Sequence, residues 1–588
     1  MAIYVPPLTD IRFLLHEVAG LAAVAALPGC SEATPDVADA VLEEAGRFCA
    51  EVLAPLDPVG DRAGCAFADG AVTTPPGWRD AYGRCSDSGW VGLELPTAYG
   101  GQGLPKLLAT PVWEMIHAAN LAFSLCPQLA IGETGALLRA ASPALKDAYL
   151  PGIVSGEFAC AMDLTEPQAG SDLAAIRTRA EPHADGSYRL FGSKIFITYG
   201  EHDMAANIVH LVLARLPDAP PGVKGISMFL VPKVLPDGTR NDVACTGIEH
   251  KLGIHGSPTC AMSFGERGGA TGWLVGEANR GLEYMFVMMN EARFAVGVQG
   301  FAVGDRAYQK ALAYARERVQ GRPPGAAAGA PIVHHPDVQR TLLGMRARLM
   351  AARSLAYTAA AWFDVAHHAA DDGARGRAQR FIDLLMPVVK AWSTELGQRV
   401  CYDAIQVHGG MGFVEETGVA RHYRDIRITT IYEGTTGIQA NDLVGRKILR
   451  EDGATLREFM ADLALSADEF DREALPALGA RLRADLAELD SALRALLAAG
   501  ASDPPAALAA AVPFLHLLGG TCATWQMGRI AQAAQRPAAR AAFGDAYAQG
   551  LVDLARFHAD CIAPEASAHA AAVRGAGATR AAAAALVA

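Results

Sequence analysis

The segment Thr430-Ile431-Tyr432-Glu433-Gly434-Thr435-Thr436-Gly437-Ile438-Gln439 sets one carboxylate between an apolar run and a glycine-threonine turn. Ile428, Ile431 and Tyr432 supply apolar surroundings, and partial burial among them destabilises the charged form of Glu433 and raises its pKa. A carboxylate tuned upward is suited to take a weakly acidic carbon-bound proton near neutral pH. Read locally, the same acid also serves as a cap for a helix beginning near Thr435, because acids are favoured at helix N-termini. The choice between base and cap rests on the rest of the chain.

Two further segments carry groups that can receive a planar ligand. In Met162-Asp163-Leu164-Thr165-Glu166-Pro167-Gln168-Ala169-Gly170-Ser171-Asp172 a strand runs into a Pro/Gly turn. That turn presents backbone N–H groups and the Thr165 and Ser171 hydroxyls, which can satisfy the carbonyls and ring nitrogens of a heterocycle. In Gly192-Ser193-Lys194-Ile195-Phe196-Ile197-Thr198-Tyr199-Gly200, strand alternation puts Phe196 and Thr198 on one face, a ring to stack and a hydroxyl to bond. Taken singly, these are also an ordinary turn and an ordinary core strand.

A third segment, Gln406-Val407-His408-Gly409-Gly410-Met411-Gly412-Phe413, follows the helix that contains Trp392–Val400. Its close glycines let a ligand or another chain approach the backbone. It lacks the strand-first context of a dinucleotide fingerprint. His408 reads as a packing or hydrogen-bonding residue rather than a catalyst.

The elements that must position these groups have three textures. From Thr34 to Leu150, Val37, Val41, Ala45, Phe48 and Val52 recur at three- and four-residue steps, with Thr34 as N-cap and Pro35 as first helical residue. From Gly156 to Gly276 the chain breaks into short β-type runs, among them Tyr188–Phe191, Ile208–Leu213 and Gly225–Val231. After Asn279 helical periodicity returns. Gly321–Pro331 reads as a surface loop between two helices, Leu456–Leu497 as a charge-decorated helix, and Pro504–Ile562 as apolar helix with a proline break. Ala568–Ala588, largely alanine, is a terminal helix or a tail. The expected division is an N-terminal extension (1–34), a helical domain (35–155), a middle β domain (156–278), a helical domain carrying Glu433 (279–455) and an additional helical domain (456–588). The fold class is α+β, mostly α.

At 588 residues the chain has length for about three to five domains of ~150 residues each. With 51% hydrophobic and 19% charged residues it has ample material for a packed core. A net charge of −12 argues against nucleic acid or an anionic membrane as a bulk-charge partner. The eleven cysteines are scattered, without a C-x-x-C pair or clustering with histidine, which points to a reducing compartment and no metal site. The apolar run Val18–Leu27 follows Asp10 and Glu17 and falls far short of the roughly 20 residues a bilayer requires. The expectation is a cytoplasmic protein without membrane insertion.

The M-D-L-T-E-P-x-A-G-S-D turn, the K-I-F-I-T-Y-G strand, the Q-V-H-G-G-M-G-F loop and the I-Y-E-G-T turn occur in this order. Together, over roughly residues 35–450, they resemble the acyl-CoA dehydrogenase family. The resemblance implies an N-terminal helical domain, a middle β-barrel domain and a C-terminal four-helix domain, with FAD as cofactor. Tyr4–His16, the helical extension after residue 455, His250–Thr259 and Met288–Arg293 resemble a long subgroup of the family. That subgroup includes 3-methylmercaptopropionyl-CoA dehydrogenase.

Carried over position by position, the resemblance implies that Glu433 removes the α-proton of an acyl-CoA thioester while a β-hydride goes to the flavin. The Glu433 backbone N–H and a ribityl hydroxyl would polarise the thioester carbonyl. Met162, Leu164, Thr165 and Thr198 would contact the flavin ring, with Phe196 flanking it. Ser171 would lie along the pantetheine arm, Gly434 beside the substrate and Arg293 on the CoA-binding side, unless Arg293 is a surface ion-pair partner. Arg318 and Gln320 would meet the FAD pyrophosphate of a neighbouring subunit, which makes a homodimer the expected assembly. Gln406, Gly409 and Gly410, with Thr435, would complete the adenosine end.

Three positions depart from the family pattern. Phe196 stands where many relatives carry tryptophan, Gln320 where a hydroxyl residue is common, and Gly437 where glutamine is frequent. The implied reaction belongs to fatty acid β-oxidation, on a fatty acyl-CoA or a 3-methylmercaptopropionyl-CoA-like substrate, with an electron-transfer flavoprotein as acceptor. An acyl-CoA oxidase and a family-like binding scaffold keep the same motifs and stay open as alternatives.

Overall fold

Thr34 accepts the Val37 amide through its hydroxyl at 3.3 Å and Pro35 opens the helix Pro35–Phe48, the start that the sequence predicts. The computed structural model describes residues 4–325, 327 and 329–586. Parts of three expected segments, residues 1–3, Ala326 with Ala328, and Val587 with Ala588, lie outside the described residues. The chain forms two compact units. One comprises Met1–Gly46, Pro105–Ala118 and Arg293–Ala588, the other Arg47–Leu104 and Ala119–Ala292.

Among the described residues, the strands lie in the second unit. A hairpin of β1 (Ala66–Ala68) and β2 (Ala71–Thr73) turns on Asp69-Gly70, both at positive φ. This is the Asp-Gly signature of a tight hairpin, inside a stretch whose periodicity reads as helix. The sheet that follows has β3 (Phe158–Asp163), β4 (Arg179–Pro182), β5 (Tyr188–Thr198), β6 (Asn207–Arg215) and β7 (Ile226–Pro232). It ends with β8 (Val243–Ile248), β9 (Thr259–Phe264) and β10 (Ala270–Val275).

Strands β10, β7, β6, β4 and β5 pair in that order, and β5 pairs back to β10, which closes a ring. Nearly every residue of β6 and β7 is buried, so both read as continuous apolar runs rather than alternating ones. β3 pairs parallel with β6, Met162 opposite Leu211. The helix Leu121–Ala140 in this unit is long and apolar enough to cross a membrane, yet 72% of that stretch is buried in the protein and it carries the fully buried Glu133.

The first unit is helical. Its long helices are Gly281–Glu317 (from Arg293 onward), Pro336–His368 and Asp372–His408, joined after residue 453 by further helices. The expected single helix Leu456–Leu497 is two, Ala454–Arg472 and Pro476–Ser502. Ala474 at φ +59 turns the chain, and Pro476 can open a helix but cannot continue one. The apolar stretch from Pro504 is likewise divided into Pro504–Ala509, Ala511–Gln535, Pro537–Phe543 and Asp545–Cys561. The alanine-rich end is helical over Glu565–Arg574 and Ala576–Ala582.

Two polar clusters tie this unit together. Arg353 is buried between Glu114 at 2.6 Å and Asp305 at 3.3 Å, and the Tyr357 hydroxyl donates to Glu114 at 2.6 Å. Asp10, from the N-terminal extension, accepts from Arg346 at 2.9 Å and from Tyr547 at 2.7 Å, while Phe13 packs edge-on against Phe543 and Tyr547. The N-terminal extension and the added C-terminal helices therefore share one packed interior.

Candidate functional site

The segment before Glu433 is a short 3-10 turn, Arg427–Thr430, after which the Ile431 and Tyr432 amides both donate to the Ile428 carbonyl. Glu433 then takes a left-handed conformation at φ +55, followed by Gly434 at φ +91. The helix Thr436–Asp442 is capped by Thr435, whose hydroxyl oxygen accepts the Ile438 N–H at 3.3 Å. The cap is therefore Thr435 and not Glu433. A left-handed non-glycine residue costs about 1–2 kcal/mol, and such outliers gather where a site over-determines them.

The over-determination is visible. The Gln439 side-chain amide donates to the Glu433 carbonyl at 2.8 Å, and the Lys390 ammonium donates to the Gly434 carbonyl at 2.7 Å. The Tyr432 hydroxyl donates to Gln299, and Thr436 donates to Glu395 at 2.6 Å. Gly434 suits this turn because φ +91 is a conformation that side chains rarely adopt, and a Cβ there would stand 2.8 Å from the Gln439 amide nitrogen. Among the described residues the Glu433 backbone N–H and both carboxylate oxygens have no hydrogen-bond partner. These are the two groups the turn presents unspent.

Charge surrounds the half-buried carboxylate. Burial pushes the Glu433 pKa above the ordinary carboxylate range, while the Arg293 and Lys390 cations oppose that rise without cancelling it. Lys390 is completely buried, and loss of hydration brings its ammonium down to about 8 despite the opposing Glu433 charge. Burial also lowers the Arg293 pKa, against the pull of Asp442 at 3.7 Å and of Glu433. The alternative of Arg293 as a surface ion-pair partner is set aside: it is 8% exposed and its charge acts on Glu433. The helices carrying Arg293 and Lys390 meet backbone to backbone, since a Cβ on Gly300 would lie 2.6 Å from the Ser393 carbonyl.

Sequence reasoning missed Lys390, Gln439 and Gln299. The signal for Lys390 was present as a lone charge in Met386-Pro387-Val388-Val389-Lys390-Ala391-Trp392, where hydropathy alone reads core.

In the second unit, β3 ends at Asp163 and the following turn is locked from beneath by Glu166. That carboxylate accepts from Lys194 at 2.9 Å, from the Thr178 hydroxyl at 2.6 Å and from the Arg177 amide at 2.7 Å. Burial raises its pKa, but Lys194 and these donors outweigh it and hold the group down at about 2. The Leu164 carbonyl accepts from Lys194 and the Thr165 carbonyl from the Ile195 amide. Among the described residues the Leu164 and Thr165 amides and the Thr165 and Thr198 hydroxyls have no partner. Four unspent polar groups on an immobilised turn and the adjoining strand fit the edge of a flavin ring.

Phe196 departs from the expected strand geometry. The β5–β9 register shifts between Lys194 and Ile197, and Phe196 takes φ +60 and stands 58% exposed. The simple alternation is corrected to a β-bulge, which inserts one residue and re-aims its side chain. Thr198 keeps its place in the ladder opposite Thr259. Ser171 is exposed at the turn, next to Asp172, which caps the Ala174 amide at 3.0 Å.

At the far end of the first unit, the helix Asp372–His408 stops at Gly409, φ +60, with open space at the Cβ positions of Gly409 and Gly410. His408 bonds the Ala404 carbonyl at 2.8 Å and stacks on Tyr314 at 4.4 Å, a packing role as expected. That stack brings the exposed Arg318 and Gln320, just past the helix Gly281–Glu317, to the same end as the exposed Gln406, Gly409 and Gly410. Thr435 does not join them. It adjoins Gly434, which Lys390 holds, and the sixteen residues from Lys390 to Gln406 extend about 24 Å along the helix. Among the described residues no group of His, Cys, Asp and Glu could hold a metal ion.

Comparison with known proteins places this geometry in context. Residues 35–157, 161–266 and 279–448 match the N-terminal, middle and C-terminal domains of acyl-CoA dehydrogenase, and residues 454–584 match a domain described as acetyl-CoA dehydrogenase C-terminal like. The chain is 46% identical over 577 residues to 3-methylmercaptopropionyl-CoA dehydrogenase of Ruegeria pomeroyi, covering 96% of this chain and 97% of that one. It is 33% identical over 589 residues to the broad-specificity linear acyl-CoA dehydrogenase FadE5 of Mycobacterium tuberculosis, covering 96% of each. In fold it is similar to Caenorhabditis elegans ACDH-11, with a TM-score of 0.74, 18% identity, and coverage of 95% of this chain and 92% of that one.

Proposed function

The chain belongs to the acyl-CoA dehydrogenase family, whose reaction is flavin-dependent dehydrogenation of an acyl-CoA, and we propose that Glu433 is the base that removes the α-proton. The observation that carries this is the strained turn itself, which presents a carboxylate without a hydrogen-bond partner and an unspent N–H. An upward-shifted carboxylate has proton affinity to spare for a carbon acid, and the cations of Arg293 and Lys390 favour its ionised form. The Glu433 N–H is suited to bond a thioester carbonyl as negative charge develops there.

FAD, when bound, supplies the hydride acceptor. In this reading Leu164, Thr165 and Thr198 hold the flavin ring with their unspent polar groups, Met162 lies in the adjoining strand, and Phe196 flanks the ring from its bulge. Ser171 lines the pantetheine arm, Gly434 and the Glu433 N–H meet the thioester, and Arg293 acts beside the base. Thr435 meets the FAD of its own chain. Arg318, Gln320, Gln406, Gly409 and Gly410 serve the FAD of a neighbouring copy, a division supported by the length of helix that separates them from Thr435. Light scattering of the flavin-loaded protein is expected to give the mass of a homodimer, and a stable monomer would contradict this arrangement.

We assign a saturated acyl-CoA substrate of the 3-methylmercaptopropionyl-CoA type, an electron-transfer flavoprotein as acceptor and a cytoplasmic location. The substrate assignment is supported by the 46% identity to the Ruegeria protein over nearly the whole of both chains. The five-segment division at residues 34, 155, 278 and 455 goes with this reading. An anaerobic substrate panel, followed by bleaching of the flavin, tests it. Reduction by 3-methylmercaptopropionyl-CoA and straight short-chain acyl-CoAs is expected to be fastest, and preference for long or branched chains would overturn the substrate assignment alone.

A further inference from the structure

Lys390 is the one ionisable side chain hydrogen-bonded to the backbone of Glu433 or Gly434 among the described residues. It lies within the helix Asp372–His408, completely buried, and it spends a proton on the Gly434 carbonyl at 2.7 Å. The preceding carbonyl, that of Glu433, is taken by Gln439 at 2.8 Å. Two consecutive carbonyls of two consecutive left-handed residues are thus each held by a side-chain donor. An ammonium is an expensive donor to bury for this task, since an amide satisfies the neighbouring carbonyl without a charge. The charge itself therefore calls for a role.

We propose that Lys390 is the positioning residue of the base: its hydrogen bond to Gly434 keeps the Glu433–Gly434 turn left-handed, and its cation biases the Glu433 carboxyl toward the ionised form. The proposal rests on the reading of Glu433 as base and adds to it a residue on another element.

The charged and titratable groups around Glu433 are Arg293, Lys390 and Tyr432, with Asp442 and Arg446 acting on Arg293, and Glu395 acting on Lys390. Burial raises the Glu433 pKa and the two cations lower it. The base must be ionised to act, so flavin reduction falls as pH drops through that pKa. Removing the Lys390 charge lets the pKa climb, and the acid limb of the rate profile then moves to higher pH. The ammonium is itself lost above about 8, so the limb is read below that pH.

The test compares Lys390→Met and Lys390→Arg as flavoproteins, by anaerobic stopped-flow reduction with a saturating active acyl-CoA across acid to neutral pH. Thermal melting and flavin content are measured alongside. Lys390→Met is expected to reduce flavin roughly 10²-fold more slowly, as a small misplacement of a reacting group can do. Its acid limb is expected to rise by about one pH unit or more, and Lys390→Arg to keep the limb where the wild type has it.

A wild-type rate and limb in Lys390→Met would overturn the proposal. So would a Lys390→Met protein that loses flavin or fold and is not rescued by arginine, since the lysine would then be structural only. Glu433→Gln run in parallel separates the two claims. If that variant is active the base is elsewhere, whereas an inactive Glu433→Gln beside an unaffected Lys390→Met removes only the role given to Lys390.

Discussion

Glu433→Gln is expected to slow flavin reduction by an active acyl-CoA by roughly 10²–10⁴-fold, the usual contribution of a positioned general base, while FAD and acyl-CoA still bind. The amide keeps the size and the left-handed backbone that the turn imposes. The wild-type carboxylate accepts no hydrogen bond among the described residues, so the substitution strips no internal partner. What changes is basicity. The same physics gives the wild type its pH dependence: burial holds the pKa above the ordinary range, so the active fraction declines as pH falls through that raised pKa. Anaerobic stopped flow reads both effects. Near-normal reduction in the variant would move the base to another residue.

The second large effect is on stability. Arg353→Met should destabilise the fold by about 3–5 kcal/mol, because removing one member of a buried ion cluster leaves the others uncompensated. Arg353 and Glu114 are each about 1% exposed, and Asp305 lies 3.3 Å from the guanidinium. Glu114 already has a raised pKa from burial, against the lowering pull of Arg353. Without the arginine it climbs further. A carboxyl whose folded pKa lies above its unfolded one contributes stability at low pH that is lost as pH rises through the folded value. The loss in the variant should thus be larger at neutral pH than at pH near the carboxylate range. Denaturant midpoints at the two pH values check this, and equal midpoints for variant and wild type would show that the cluster does not contribute.

How much of this was legible depends on how local the cause is. The Glu433 turn could be read because its parts, apolar run, acid, glycine and capping threonine, are neighbours in the chain, and Thr435 rather than Glu433 proved to be the cap. The turn at Leu164 and Thr165 was legible for the same reason, but its lock was not. Glu166 is held by Lys194 and Thr178, more than ten residues away, and only the closed sheet brings them together.

Period-2 reasoning put Phe196 and Thr198 on a face but could not show the inserted residue that gives Phe196 φ +60. Lys390 and Arg293 were illegible as partners because helix packing through Gly300, rather than spacing in sequence, sets them around Glu433. The division of Leu456–Leu497 was within reach, since Pro476 marks it, and charge periodicity on both sides obscured it.

As an acyl-CoA dehydrogenase, this chain removes a hydrogen pair from an acyl-CoA and passes it to its flavin. Anaerobic mixing of the flavin-loaded wild type with substoichiometric 3-methylmercaptopropionyl-CoA or a short straight-chain acyl-CoA, with the thioester products identified by mass, tests it most directly. The expected result is one flavin bleached per thioester converted, and a 2-enoyl-CoA lighter than its substrate by two hydrogens. Bound thioester recovered unchanged beside a fully oxidised flavin, across both substrates, would contradict it.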